Sequence, residues 1–151
     1  MKIKNLFTVV LLILSVEFAF CNDKNAECGK FILTETEFVS WCITPNVVSE
    51  NSENIEILEN RTERELAFGT SVFLEYFNGN DWENVHINVE ILSVVMVIDA
   101  NEVDESNGNF YWFVREFNNS KKGKYRVVRQ YTLLDDRRSV DFTLHAEFVV
   151  E

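Results

Sequence analysis

Residues 142–150 read Phe-Thr-Leu-His-Ala-Glu-Phe-Val-Val. Phe142, Leu144, Ala146, Phe148 and Val150 fall on one side, Thr143, His145 and Glu147 on the other. A period of two is that of a strand with one face buried, and a uniformly apolar face needs a second layer to cover it. Just upstream, Gly123-Lys124-Tyr125-Arg126-Val127-Val128-Arg129 reads as the neighbouring strand, joined to the first through a short polar turn. Together the two segments call for a sheet-based fold, and Phe148, Leu144 and Ala146 are its expected core.

The remaining pattern agrees with that requirement. Residues 55–58 form a short apolar run, and residues 72–77 alternate Val72, Leu74 and Tyr76 against Phe73, Glu75 and Phe77. After the turn signal Asn78-Gly79, residues 82–91 place Val85, Ile87, Val89 and Ile91 on one face. Residues 94–98 are continuously apolar, residues 99–109 read as an acidic loop, and residues 110–114 read as a further strand. No helical period extends over ten residues. With 13 Phe, 3 Trp and 4 Tyr there is enough aromatic surface for one core, and the bias toward aromatic and β-branched residues favours strands. At 151 residues the chain has room for one domain of ordinary size. The class this predicts is all-β, a sandwich of about seven to eight antiparallel strands. Tyr125, just after Gly123 at the entrance to the penultimate strand, is placed for its hydroxyl to bond back to the preceding loop.

The N-terminus carries Lys2 and Lys4 ahead of an apolar run over residues 6–16, the arrangement of a secretory leader and too short for a membrane span. Ala19 and Cys21 stand at −3 and −1 for cleavage before Asn22, giving a signal peptide over residues 1–21. The alternative is a lipid anchor on Cys21, against which Phe20 stands where a small residue is usual. The expected location is therefore secreted or exposed on the cell envelope, or lipid-anchored at the cell surface. Two cysteines remain, Cys28 and Cys42, in a compartment that permits oxidation. A disulfide between them is expected, ahead of a metal site or a reactive thiol. Residues 22–54 are then an N-terminal extension holding the disulfide loop, and residues 55–151 the sandwich.

The net charge of −11 becomes −12 without the leader, since Lys2 and Lys4 are lost against Glu17. An acidic chain of this kind argues against a nucleic-acid partner. The basic residues concentrate late in the chain, at Arg115, Lys121, Lys122, Lys124, Arg126, Arg129, Arg137 and Arg138. They are placed either to meet an anionic polysaccharide or headgroup, or to offset the acids of the same molecule, and the second reading is the favoured one.

The chain also resembles the bacterial immunoglobulin-like domains of small secreted or lipid-anchored proteins. The likeness spans residues 55–150. It runs through Gly69, the stretch 73–79, Trp82 and Val85, then 123–129, then 144–149, with Gly-Lys-Tyr-Arg and Ala-Glu-Phe its most specific pieces. It implies an immunoglobulin-like sandwich with no catalytic residues, in which Gly69, Trp82, Gly123, Tyr125, Arg126, Ala146 and Phe148 have structural roles. The chain departs from the pattern over residues 93–120.

Reactive constellations are scarce. His86 and His145 fall on solvent-facing registers and form no hydrolase or zinc arrangement. Asp99, Asn101, Glu102, Asp104, Glu105 and Asn107 are rich in oxygen, but Val103 occupies the fifth position of a calcium-loop pattern and no glycine the sixth. No cofactor is expected. Asn60-Arg61-Thr62 and Asn118-Asn119-Ser120 match the glycosylation pattern, of consequence only in a eukaryotic source. The expected function is a non-enzymatic extracytoplasmic binding or structural module with an unknown protein or glycan partner. Membrane contact would come only through Cys21. The alternatives are a small secreted hydrolase or metal-dependent enzyme using acidic residues, and a surface-assembly subunit pairing through an edge strand.

Overall fold

The computed structural model describes residues 28–86, 94–136 and 138–151. The leader, Cys21 and the second half of the 82–91 segment, with Ile87, Val89 and Ile91, lie outside the described residues, as does Arg137.

Two sheets face each other. The first has the order β1-β2-β4-β9, formed by β1 (Gly29–Ile32), β2 (Phe38–Thr44), β4 (Asn54–Arg61) and β9 (Val103–Gly108). The second is built on an antiparallel hairpin of β10 (Gly123–Leu133) and β11 (Val140–Val150), paired from Gly123↔Val150 to Leu133↔Val140. The short β3 (Val47–Val48) lies parallel to the end of β11. On the other side of β10 two strands share one lane. There β5 (Leu66–Gly69) pairs with residues 131–133, and β6 (Phe73–Phe77) with residues 125–128. Outside them run β8 (Val95–Ile98) against β5 and β7 (Trp82–Val85) against β6. Helix α1 (Phe110–Asn118) joins β9 of one sheet to β10 of the other.

The alternation read at residues 142–150 is realised. Leu144, Ala146, Phe148 and Val150 are buried, and on β10 the residues of the same inward parity, Tyr125, Val127, Tyr131 and Leu133, are buried with them. The facing sheet contributes Val39, Trp41 and Ile43 from β2 and Leu58 from β4. Tyr131 packs edge-on to Trp41 across the gap, at 5.9 Å between ring centres.

Position 129 of β10 shares the inward parity, so a guanidinium points between the sheets. It is met from β4: Arg129 Nη1 donates to Glu56 Oε1 at 2.7 Å, the Trp41 indole N–H donates to the same oxygen at 2.8 Å, and the guanidinium carbon lies 4.7 Å from the Trp41 ring. Arg129 and Glu56 keep only 12% and 14% of their side-chain surface exposed. They form an ion pair shielded from water that ties one sheet to the other. The inward face of β4 is accordingly Asn54, Glu56, Leu58 and Asn60, while Ile55 and Ile57 turn outward. Asn54 donates to the carbonyls of Pro45 and Val47, and Asn60 to those of Arg64 and Asp99, so the buried amides are satisfied.

Four expectations are corrected. The sandwich does not begin at Ile55: Trp41 and Val39 are fully buried, and the segment expected to be an extension supplies β1, β2 and β3. Residues 46–54, within that expected extension, likewise bury Asn46, Val48 and Asn54. Residues 110–114 are helical, because Phe110 and Val114 at i and i+4 enter the core together, with Phe113 and Phe117 packed behind them. Asn109 caps that helix by accepting from the Trp112 N–H, and Asn119 ends it at φ 52°. The acidic stretch is in part the strand β9, paired with β4 along its length.

Glu147 is the fourth correction. It was expected on a wet face and is 7% exposed. The outer face of the second sheet is covered by its own long side chains: Lys124 Nζ meets Glu147 at 2.5 Å, Arg126 pairs with Glu75, and the Arg126 guanidinium lies 4.4 Å over the Trp82 ring.

Two predictions follow from these contacts. Phe148→Ala should cost about 3–5 kcal/mol, as a ring lost from a packed core does, while Glu147→Ala should cost on the order of 1 kcal/mol; urea midpoints measure both. Glu56→Leu or Arg129→Leu alone should cost about 3–5 kcal/mol by orphaning a buried charge, and the double replacement should recover much of that loss. Additive losses in the double variant would mean the two charges are not coupled.

Candidate functional site

At the end of the sandwich where α1 hands the chain to β10, the Tyr125 hydroxyl donates to the Lys121 carbonyl at 2.6 Å and accepts from Asn118 Nδ2 at 2.8 Å. The turn between helix and strand is thus pinned to the core, since the Tyr125 ring is fully buried and stacks 5.6 Å from Phe148. Gly123 closes the turn at φ +138°, and a Cβ there would stand 2.8 Å from the Tyr76 ring, so both conformation and space require glycine.

Beside this corner lies a cleft of about 300 Å³ between α1 and the β6–β7 hairpin. It is lined by Tyr76, Glu83, Asn84, Val85, His86, Phe117, Asn118 and Lys121. Its size is at the lower end of small-ligand sites. The Lys121 ammonium sits 3.7 Å over the Tyr76 ring, and Glu83 accepts from the Asn78 amide at 2.6 Å. Two amides, a carboxylate, an ammonium and two aromatic rings make a surface suited to hydrogen bonding and stacking. Among the described residues of the lining there is no serine, threonine or cysteine beside His86. Among the described residues no three His, Cys, Asp or Glu side chains gather as a metal site. The β9 acids Asp104 and Glu105 are adjacent strand residues and point to opposite faces.

Comparison with known proteins matches the chain to a family model for a bacterial Ig-like domain over residues 37–149. The chain belongs to that family. No curated protein matches it, and no solved structure does. The Ig-like match begins at residue 37, within the described first sheet and ahead of the Ile55 boundary expected from the sequence.

Within this Ig-like domain the residues singled out in the sequence lie apart. Cys28 and Cys42 form a disulfide with Cα atoms 4.6 Å apart, on the β1–β2 side of the sandwich. Gly69 ends β5, and Ala146 is buried at the middle of β11, bridged to Cys28. Trp82 and Arg126 stack on the outer face. Only Gly123 and Tyr125 adjoin the cleft. Of the basic cluster, Lys124, Arg126 and Arg129 pair with Glu147, Glu75 and Glu56, which supports the internal reading of its charge. His145 Nε2 lies 4.0 Å from Glu147 on β11 and His86 at the end of β7, so the two histidines serve different strands. Asn60 and Thr62 are fully buried and bonded to each other, which removes the first glycosylation pattern from the surface. The cleft was missed in the sequence because its lining comes from three separated segments, and α1 was read as a strand.

No helix among the described residues is long and apolar enough to cross a membrane.

Burial raises the phenol of Tyr131 above its ordinary 10.0, with the Arg129 charge opposing, and raises that of Tyr125, with the Asn118 hydrogen bond opposing. A group that holds its proton more tightly when folded stabilises fully below its unfolded pKa and loses that contribution as the pH climbs past it. Stability should therefore fall above pH 10.0. Tyrosinate absorbance should rise together with loss of circular dichroism, and Tyr131→Phe should move that transition to higher pH.

Proposed function

We propose that this Ig-like domain acts outside the cytoplasm as a non-enzymatic recognition module, and that the cleft beside α1 is where it engages a glycan or a protein side chain. Ig-like domains are generally non-catalytic and bacterial ones are often extracellular. The observation that carries the reading is the cleft's composition. Asn84, Asn118, Glu83 and Lys121 surround Tyr76 and Phe117, groups that hydrogen-bond and stack but pair no nucleophile with a base. The Cys28–Cys42 bond supports an oxidising compartment.

A panel of soluble glycans and cell-wall fragments tests the cleft directly. Binding should weaken about tenfold or more in Asn84→Ala and Lys121→Ala with thermal midpoints unchanged. Turnover of broad hydrolase substrates by the purified protein would overturn the non-enzymatic reading. For the compartment, protein isolated from its native cells should carry the Cys28–Cys42 bond. Reducing it should remove on the order of 3 kcal/mol and lower the thermal midpoint. Free thiols at both positions would place the protein in a reducing compartment instead.

A further inference from the structure

Strand β1 is attached to the sandwich differently from the strands that follow it. The Ig-like match begins at residue 37, whereas β1 ends at Ile32, so β1 is an addition to the matched body. It lies on the seam between the two sheets. On one side it pairs with β2, from Gly29↔Trp41 to Ile32↔Phe38, and on the other it meets β11 at the Cys28–Ala146 bridge. Of its four residues only Gly29 is buried, while Lys30 and Ile32 are exposed. Gly29 fits against the β11 backbone because it carries no side chain, so the buried position of β1 adds no apolar group to the core. Phe31, half-buried and stacked 4.1 Å from Phe142, is the strand's one ring contact with the second sheet. After β1 the chain enters a turn with hydrogen bonds of its own, the Leu33 and Thr34 N–H groups donating to the Glu37 carbonyl. Before it, the Cys28–Cys42 bond fastens the strand to β2.

We propose that the Cys28–Cys42 bond is a redox latch, which a dithiol reductant opens to release β1 from the seam while the rest of the sandwich stays folded. The two sulfurs differ in access. Cys28 is half-buried, whereas Cys42 keeps 6% of its surface exposed. An incoming thiolate therefore attacks the Cys28 sulfur, forming a mixed disulfide there and expelling Cys42 as a thiolate, which takes up a proton. The second thiol of the reductant resolves the mixed disulfide and leaves Cys28 as a thiol. Two electrons and two protons pass to the cysteine pair, and the reductant departs as its own disulfide.

Without the bond, β1 keeps one glycine contact, one stacked ring and a four-residue ladder. Segments with so few buried apolar contacts open locally, well short of global unfolding. The body does not depend on them: the β10–β11 hairpin and the Arg129–Glu56 pair lie wholly within the matched residues. Release uncovers the Phe142 ring and the edge of β2 over residues 38–41. The cleft beside α1 is lined by other segments, so the latch is independent of what the cleft binds.

Limited digestion with trypsin tests the latch at Lys30, the basic residue of β1. In a full chain carrying Cys21→Ser, with the bond formed, the Lys30–Phe31 peptide bond should resist cleavage. After dithiothreitol, or in a Cys28→Ala/Cys42→Ala variant, cleavage there should be about a hundredfold faster, the shift in opening equilibrium expected from losing a loop closure of this length. The product should be an otherwise intact body. Amides of residues 29–32 should then exchange almost without protection, while those of β10 and β11 remain protected about a hundredfold or more. Equal cleavage at Lys30 with and without the bond would overturn the proposal. So would exchange of β1, β10 and β11 at one common rate after reduction, because the bond would then hold the whole fold and not one strand.

Discussion

Every other strand of the second sheet takes its place from the eleven-residue antiparallel pairing of β10 with β11. The hairpin sets parity: once Tyr125 faces Phe148, each second residue on both strands is committed to the interior. It supplies one long lane for β5 and β6 to share and a free end for β3 to pair in parallel. It also delivers Arg129 to the interior, a consequence of parity and not of hydrophobicity.

That buried guanidinium explains the least expected feature of the fold. In β4, Ile55, Ile57 and Leu58 invite a register with the isoleucines inward, yet the strand presents Asn54, Glu56, Leu58 and Asn60 to the core side. The polar side wins because each group has a partner fixed elsewhere in the chain. Glu56 answers Arg129 and the Trp41 indole, and the two asparagines hold carbonyls at either end of the strand. A one-residue slip would bury the isoleucines and leave a buried charge on β10 without its counter-ion, at a cost of several kcal/mol. Polar complementarity thus sets the register between the sheets, and apolar burial sets it within the hairpin.

The ends and edges are treated differently from the middle. Helix α1 closes one end with Phe110 and Val114, and the Tyr125 hydroxyl ties the turn after it to the core. At the side of the first sheet, β1 reaches β11 through the Cys28–Ala146 bridge, with Gly29 so close to the His145 carbonyl that a Cβ would stand 2.2 Å from it. Among the described strands β7, β8 and β9 are outer edges, β8 apolar and β9 charged.

The strands of the C-terminal hairpin, the all-β class, the cysteine pair and the Gly123–Tyr125 turn were legible from the sequence because each is encoded locally, in alternation, spacing or a backbone conformation only glycine adopts readily. Tertiary structure decided the rest. Whether Phe-Tyr-Trp-Phe-Val would be helix or strand depended on Phe110 and Val114 finding the same pocket of the core, since aromatic residues suit both periods. Whether residues 28–54 were extension or body depended on β2 meeting β4, a pairing across 11 to 23 residues that no local pattern announces. Whether Glu147 was wet depended on Lys124 reaching over it from the neighbouring strand. The cleft depended on three distant segments arriving together. Alternation reports which side of a strand is apolar, but what covers that side is a property of the neighbours, and only the folded chain supplies them.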